Sequence, residues 1–297
     1  MLTFKKLTWE DREIFTKYYN ETPTHYAEYA FSTLWAWEHS YPIEIAVNDD
    51  KDLIWFRSGG PLPGYFGAVG NWNNVKDWEK ELLDFKTGDL IYDVPEDMKN
   101  ILSELFPNNL RFTDDRDQHE YVYSVKELTE LKGKNFAHKR NRVRAFLDGY
   151  EWDYYEMGKK DFDEVMDFQE RWRIHRDSTL SEDEAQSLYD EDLAIQNCLN
   201  KWEEFNFMGG ILKVDGKIIA YTIAEELDEK NIDVHFEKAF GEYAGSYQAI
   251  NYMFLKNQAS KYEFANREED MGEPGLREAK LSYNPVKMLK KFQMEIL

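Results

Sequence analysis

Residues 210–214 and 218–225 are two apolar runs joined by Asp215-Gly216-Lys217, and this hairpin constrains the fold more than any other stretch of the chain. Asp-Gly between apolar runs supplies the left-handed backbone that a tight turn between strands needs. A second pair of runs, 43–47 and 53–56, is joined by Asn48-Asp49-Asp50-Lys51-Asp52 about 167 residues earlier. Residues 9–19 precede this first pair with Ile14, Phe15, Tyr18 and Tyr19 at helical spacing and Thr8 placed as a cap. Helical patterns recur at 78–85 and 96–106 around a strand-like run at 90–94, while the Gly/Pro-rich segment 58–70 reads as a loop. Helices, strand, acidic turn and second strand thus occur twice, which suggests two copies of one α/β unit. Two unrelated hairpins would leave the same trace.

The charge is unevenly distributed. With 58 acidic and 37 basic side chains among 297 residues, the net charge is -21, which opposes a uniformly basic nucleic-acid surface and argues against DNA. Yet residues 131–147 hold Lys132, Lys134, Lys139, Arg140, Arg142 and Arg144 and no acid. Phe136, Val143 and Phe146 or Leu147 share one helical face there, leaving a cationic side that is either a solvated surface or an anion site. Arg277, Lys280, Lys287, Lys290 and Lys291 form a second basic run.

Several classes lose support. Cys198 is the single cysteine, so no disulfide framework or Cys-rich metal site is expected, and a cytoplasmic location fits. No signal peptide is visible and no apolar run nears the roughly 20 residues of a membrane span. GxGxxG, Walker A, HExxH and GxSxG motifs are missing from the sequence.

Three constellations carry chemistry. In Asp233-Val234-His235-Phe236-Glu237-Lys238, strict alternation would put Asp233, His235 and Glu237 on one strand face, where they could serve as acid and base or simply be solvated. In Ala244-Gly245-Ser246-Tyr247-Gln248, a small-residue turn opens a helical pattern whose first N–H groups suit a phosphate or carboxylate, or which Ser246 merely caps. In 264–285 the apolar spacing fails and charges crowd, as in a binding loop or a salt-bridged surface loop. A metal held by Glu268, Glu269 and Asp270 lacks EF-hand spacing or paired histidines, and none is expected.

The stretches KGKNFAHKRNRVRAF, IDVHFEKAFGEYAGSYQAINYMF and FANREEDMGEPGLREAKLSYNPVKMLKKF resemble bacterial proteins grouped with the C-terminal domain of phosphatidylglycerol lysyltransferase, the NREEDxGxxGLRxAKLSYxP run being the most specific part. The resemblance implies an α/β (α+β) fold of tandem GCN5-related N-acetyltransferase-like (GNAT-like) domains, with mixed central sheets flanked by helices, similar also to the Fem-type aminoacyltransferases. Domains at 1–130 and 131–297 follow, the second carrying the site. It implies an acyl- or aminoacyltransferase moving a group from acyl-CoA or aminoacyl-tRNA to an amine or hydroxyl of a small molecule or peripheral lipid. The alternative is a non-catalytic module of the same fold that binds an anionic metabolite or charged tRNA.

Asp233 matches the family's strand aspartate, and His235, Glu237 and Glu268 join it as acid/base candidates. Lys139, Arg140, Arg142, Arg144, Lys238, Gly245, Ser246, Tyr247, Gln248, Asn266, Arg267, Arg277, Lys280, Ser282, Tyr283 and Lys287 are the candidates for holding carrier and substrate.

Overall fold

The computed structural model describes residues 2–47, 52–60, 63–177 and 181–297. They form two compact units, Met1–Glu120 with Glu269–Arg277 and Met288–Leu297, and Tyr121–Glu268 with Glu278–Lys287. The single boundary at 130/131 read from the sequence gives way to this interleaved division, because the last strand returns to the first sheet.

The first unit begins with strands β1 (Lys5–Lys6), β2 (Ile43–Ala46), β3 (Ile54–Ser58), β4 (Gly64–Val69), β5 (Leu90–Pro95) and β6 (Leu110–Asp114) and helices α1 (Arg12–Asn20), α2 (Phe31–Ala36), α3 (Trp78–Leu82) and α4 (Glu96–Leu105). The chain continues through β7 (Glu120–Ser124), α5 (Val125–Glu130), α6 (Ala137–Gly149), β8 (Trp152–Glu156), α7 (Phe162–Asp177), α8 (Glu182–Asn200), β9 (Met208–Val214), β10 (Lys217–Glu226) and β11 (Asn231–Ala239). It ends with α9 (Ser246–Asn257), β12 (Phe264–Asn266), α10 (Pro274–Leu281), β13 (Lys287–Leu289) and β14 (Lys291–Ile296).

Among the described residues one sheet has the order β1-β2-β3-β4-β5-β14-β6 and the other β13-β7-β12-β11-β10-β9-β8. Each contains an antiparallel meander, a helix and one parallel pair: β2-β3-β4, α3 and β4 beside β5, then β9-β10-β11, α9 and β11 beside β12. The recurrence of hairpins is therefore a true structural repeat, and a helix is what a parallel connection requires. Asp215 (φ 51) and Gly216 (φ 72) make the left-handed turn of the second hairpin. The first turn, at 48–51, lies outside the described residues, as do 61 and 62 within the expected loop.

That loop contains a strand. Tyr65, Phe66, Ala68 and Val69 form β4 between glycines, and Gly67 is small because the Tyr29 hydroxyl occupies the space a Cβ would need. The stretch 264–285 is likewise not loop throughout, since it supplies β12 and α10.

In the second unit the sheet is covered on both faces. Ala220 and Ala239 pack with Phe146 of α6 and with Ala249, Ile250 and Met253 of α9. Tyr221, on the other side of β10, packs its ring against Phe168 of α7 and donates its hydroxyl to Gln169 at 2.8 Å. Burial on both faces explains why β10 reads as a nearly continuous apolar run.

Candidate functional site

β11 pairs with β10 in a register that slips once. Phe236 faces Ile223 and Val234 faces Ala224, leaving His235 as the extra residue of a β-bulge. Glu237 faces Thr222 and Asp233 faces Glu225, an odd separation on β10, so the two acids point to opposite sides. The expected single face of Asp233, His235 and Glu237 is thus divided: Asp233 and His235 lie on the α7/α8 side, and Glu237 lies on the α9 side.

On the α9 side, β11 and β12 stop pairing after Asp233 and Asn266, while β11 runs on to Ala239. Polar side chains fill the widening gap. Arg267 donates from Nη2 to Glu237 Oε1 at 2.8 Å, and Asn251 Nδ2 donates to Glu237 Oε2 at 2.9 Å. The guanidinium is 4.7 Å from the ring centroid of Tyr283 and 5.6 Å from that of Tyr123. Lys139 Nζ sits 3.7 Å from the Tyr283 centroid, within cation–π reach. Gln248 and Arg267 hydrogen-bond the Tyr283 hydroxyl, whose pKa burial pushes up to about 12. Lys280 Nζ donates to the Arg267 carbonyl at 2.5 Å.

This pocket holds more positive than negative charge. Burial first, and then the Arg267 charge, pull the Lys139 ammonium down to about 8, with Glu237 opposing. Arg267 moves the other way: burial opposes its charge, but Glu237 together with Tyr283 and Tyr123 more than offsets that cost. Its Nη1 is buried without a hydrogen-bond partner among the described residues. Two buried cations beside one carboxylate leave an uncommitted donor, a setting suited to an anionic ligand.

On the α7/α8 side, His235 Nε2 lies 2.8 Å from Glu225 Oε1, and Nδ1 lies 3.0 Å from Glu268 Oε1 and 3.1 Å from Asp233 Oδ2. Burial would lower the imidazole pKa, but the Asp233 charge and the bonds to Glu225 and Glu268 raise it well above its ordinary value. Both ring nitrogens face carboxylates, so the ring is not presented as a free base. Glu237, held by Arg267 and Asn251, is not a free base either.

Other expected contacts resolve differently. Arg140 closes the turn before α6 by donating to the carbonyls of Leu131 and Gly133, while Arg142 and Arg144 are exposed. Lys238 faces α7 and α8, paired with Glu191 at 2.6 Å and 4.3 Å from the Trp172 ring. At the α9 start the Ala244 N–H donates to Tyr150 and the buried Ser246 hydroxyl to the Phe240 carbonyl. The Arg142 carbonyl lies where a Gly245 Cβ would project, so close helix packing accounts for that glycine. Tyr247 is hydrogen-bonded at Ala239 and Trp172.

Asn266 is buried and accepts the Glu268 N–H at 2.9 Å. Arg277 pairs with Asp270 and Asp117 of the first unit. Ser282 is exposed and bonds the Ala279 carbonyl, and Lys287 is exposed. From the expected set the α9-side pocket therefore gathers Lys139, Glu237, Gln248, Arg267, Lys280 and Tyr283. Sequence reasoning passed over Tyr123, Asn251 and Glu225. Asn251 carried a signal, a lone polar residue inside the apolar run of α9.

Two GNAT-like units, with a buried polar pocket beside a parted parallel strand pair in the second, make up the tandem fold that the chain shares with FemX and a tandem GNAT protein. Residues 20–294 match the family model for phosphatidylglycerol lysyltransferase, C-terminal, so the chain belongs to that family. A conserved protein of unknown function from Bacteroides thetaiotaomicron VPI-5482 is 31% identical over 100% of both chains, with a TM-score of 0.87. The L-PGS structure from Bacillus licheniformis (13% identity, 98% of this chain and 93% of that one) and FemX (10%, 100% and 98%) share the fold, each at a TM-score of 0.64.

An uncharacterized Mycoplasmoides gallisepticum protein is 24% identical over 182 residues, 60% of this chain but only 56% of its own length. No helix among the described residues is long and apolar enough to cross a membrane.

Proposed function

We propose that this chain transfers an aminoacyl or acyl group from a phosphate-bearing carrier, aminoacyl-tRNA or acyl-CoA, to an amine or hydroxyl acceptor. The family supports transfer of an aminoacyl group, and its name suggests lysine as the group and a phosphatidylglycerol-like lipid as one acceptor class. The observation that carries the reading is the presence of Lys139 and Arg267 in one buried pocket with the single carboxylate of Glu237, which Arg267 holds.

In this proposal the two cations stabilise the oxyanion that forms when the acceptor attacks the ester or thioester carbon. The C–O or C–S bond to the carrier then breaks, and the leaving oxygen or sulfur takes a proton from Lys139, whose pKa near 8 suits donation close to neutral pH. The acceptor's own proton passes to water.

The test is a panel of aminoacyl-tRNAs and acyl-CoAs offered with phosphatidylglycerol vesicles or small amines. Product from one donor class, reduced at least about 100-fold in Lys139→Met, is expected. Saturable binding of a donor without product would select the rival, a non-catalytic binding module. That rival is favoured by the engagement of both His235 nitrogens and of Glu237, which leaves β11 without a free base.

A further inference from the structure

The two ring nitrogens of His235 have different surroundings. Nε2 meets one carboxylate, Glu225, at 2.8 Å, whereas Nδ1 meets two, Glu268 at 3.0 Å and Asp233 at 3.1 Å. Metal-bound histidines are built this way, because the nitrogen away from the ion donates its proton to a carboxylate that fixes tautomer and ring orientation. Two ligand atoms at about 2.1 Å from an ion and at right angles are about 3.0 Å apart. The two Nδ1 to oxygen separations match that edge length. One ligand atom from each of Asp233, His235 and Glu268 lies within 4.8 Å of the others, close enough for one ion to touch all three.

The geometry points to a divalent first-row metal site, with Asp233, His235 Nδ1 and Glu268 as ligands and Glu225 orienting the imidazole from behind. One imidazole with two carboxylates is the donor set of Mn²⁺, Fe²⁺ or Zn²⁺ and not of thiophilic ions. Formal charge argues in the same direction. Asp233, Glu225 and Glu268 bring three carboxylates to one imidazole, and a divalent ion among them would offset negative charge in a pocket where Asp233 is 0% and His235 6% exposed.

The chain places the three ligands by separate devices. The β11 bulge turns His235 toward Asp233, and Glu268 is held at φ 56 with its N–H on Asn266 and its carbonyl accepting from Tyr121. Glu268, 26% exposed, marks the side from which an ion would enter. An ion there would fasten the chain leaving β12 to β11, on the sheet face opposite the Lys139 pocket. No metal-binding spacing marks the site in the sequence, since two ligands come from β11 and the third from the loop after β12.

The full chain, stripped with EDTA and exchanged into chelator-free buffer, should be titrated with MnCl₂ and ZnCl₂, with Mn²⁺ EPR and calorimetry as readouts. One equivalent per chain is expected, with loss of the free Mn²⁺ signal and a higher melting temperature on saturation. Glu268→Gln should weaken uptake at least about tenfold, and Glu225→Gln, which touches no ion, should weaken it about 10–100-fold. Circular dichroism checks that each variant is folded, with Asp233→Asn as the replacement if Glu268→Gln is not. Absence of saturable uptake by the wild-type chain, or equal uptake by the folded ligand variants, overturns the site whatever the transfer assays show.

Discussion

Lys139 Nζ rests 3.7 Å from the centre of the Tyr283 ring, buried where the Arg267 and Arg142 charges repel it and the Glu237 carboxylate attracts it. The ammonium at this position titrates near 8 instead of 10.5. Anion binding in the pocket should therefore weaken as pH rises through about 8, because the bound anion loses one of its two cations. Lys139→Arg, whose charge persists to far higher pH, should hold its affinity across that range. The stability sign is opposite. A lysine pKa lowered by folding means the unfolded chain binds more protons between about 8 and 10.5, so this residue's contribution to stability rises with pH over that window. Phosphate or donor titrations at pH 7 and 9, for wild type and Lys139→Arg, check the first claim. Equal loss of affinity in both proteins would exclude Lys139 as its cause.

Glu237 serves two buried donors, Arg267 at 2.8 Å and Asn251 at 2.9 Å, with side-chain exposures of 9% for the acid and 13% for the arginine. Glu237→Gln turns an amide toward two groups that donate and leaves the guanidinium without its counter-charge. Breaking such a pair costs about 3–5 kcal/mol. Thermal unfolding should show a clear drop, on the order of 10 °C for a unit of this size. Replacing both partners, Glu237→Leu with Arg267→Met, should recover much of that loss while abolishing anion binding. A Glu237→Gln melting temperature equal to wild type would mean the pair is not held as described.

Why the sequence disclosed some of this and not the rest is visible at particular residues. The Asp215-Gly216 hairpin was legible because local turn chemistry and apolar runs specify it together. The segment 64–69 was not, since its glycines signal a loop while Gly67 is in fact demanded by a tyrosine hydroxyl from elsewhere in the chain. Asp233, His235 and Glu237 were recognisable as chemically interesting, but their division between two sheet faces rests on a bulge, and alternation alone cannot register one extra residue. The basic run at 131–147 gave one buried pocket residue, Lys139, and several exposed ones, because helical periodicity says which residues face inward but not what they meet there.

Gly245 occupies φ 89 at the start of α9, with the Arg142 carbonyl of α6 against its Cα. Gly245→Ala combines a left-handed backbone penalty with an overlap against backbone that cannot swing aside. Together these should cost about 2–4 kcal/mol. Gly241→Ala is the control, since an added Cβ there meets nothing within 4 Å. Chemical denaturation of both variants tests the assignment. Equal midpoints would show that close packing of α6 does not explain the glycine.

Asp93, in the first unit, is buried at φ 55 beside Glu28 and the fully enclosed Lys291, which pairs with Glu28 and with Glu120 at 3.1 Å. Burial raises the Asp93 carboxyl to about 6, with Lys291 opposing and Asp115 and Glu269 adding to the rise. A raised acid means the folded chain takes up protons that the unfolded chain does not, from about 3.8 to about 6. Its contribution to stability is therefore present at the acid end and lost as pH climbs through that window. Glu28 is raised for similar reasons and adds slope of the same sign at higher pH.

Asn tolerates the left-handed backbone and carries no charge to bury. Asp93→Asn should therefore flatten the stability profile between pH 4 and 6 and unfold at a higher temperature than wild type at pH 7. Melting curves across that range decide it. A variant that is less stable than wild type at pH 7 would mean the Asp93 charge is needed to hold Lys291 and is not a burden to the fold.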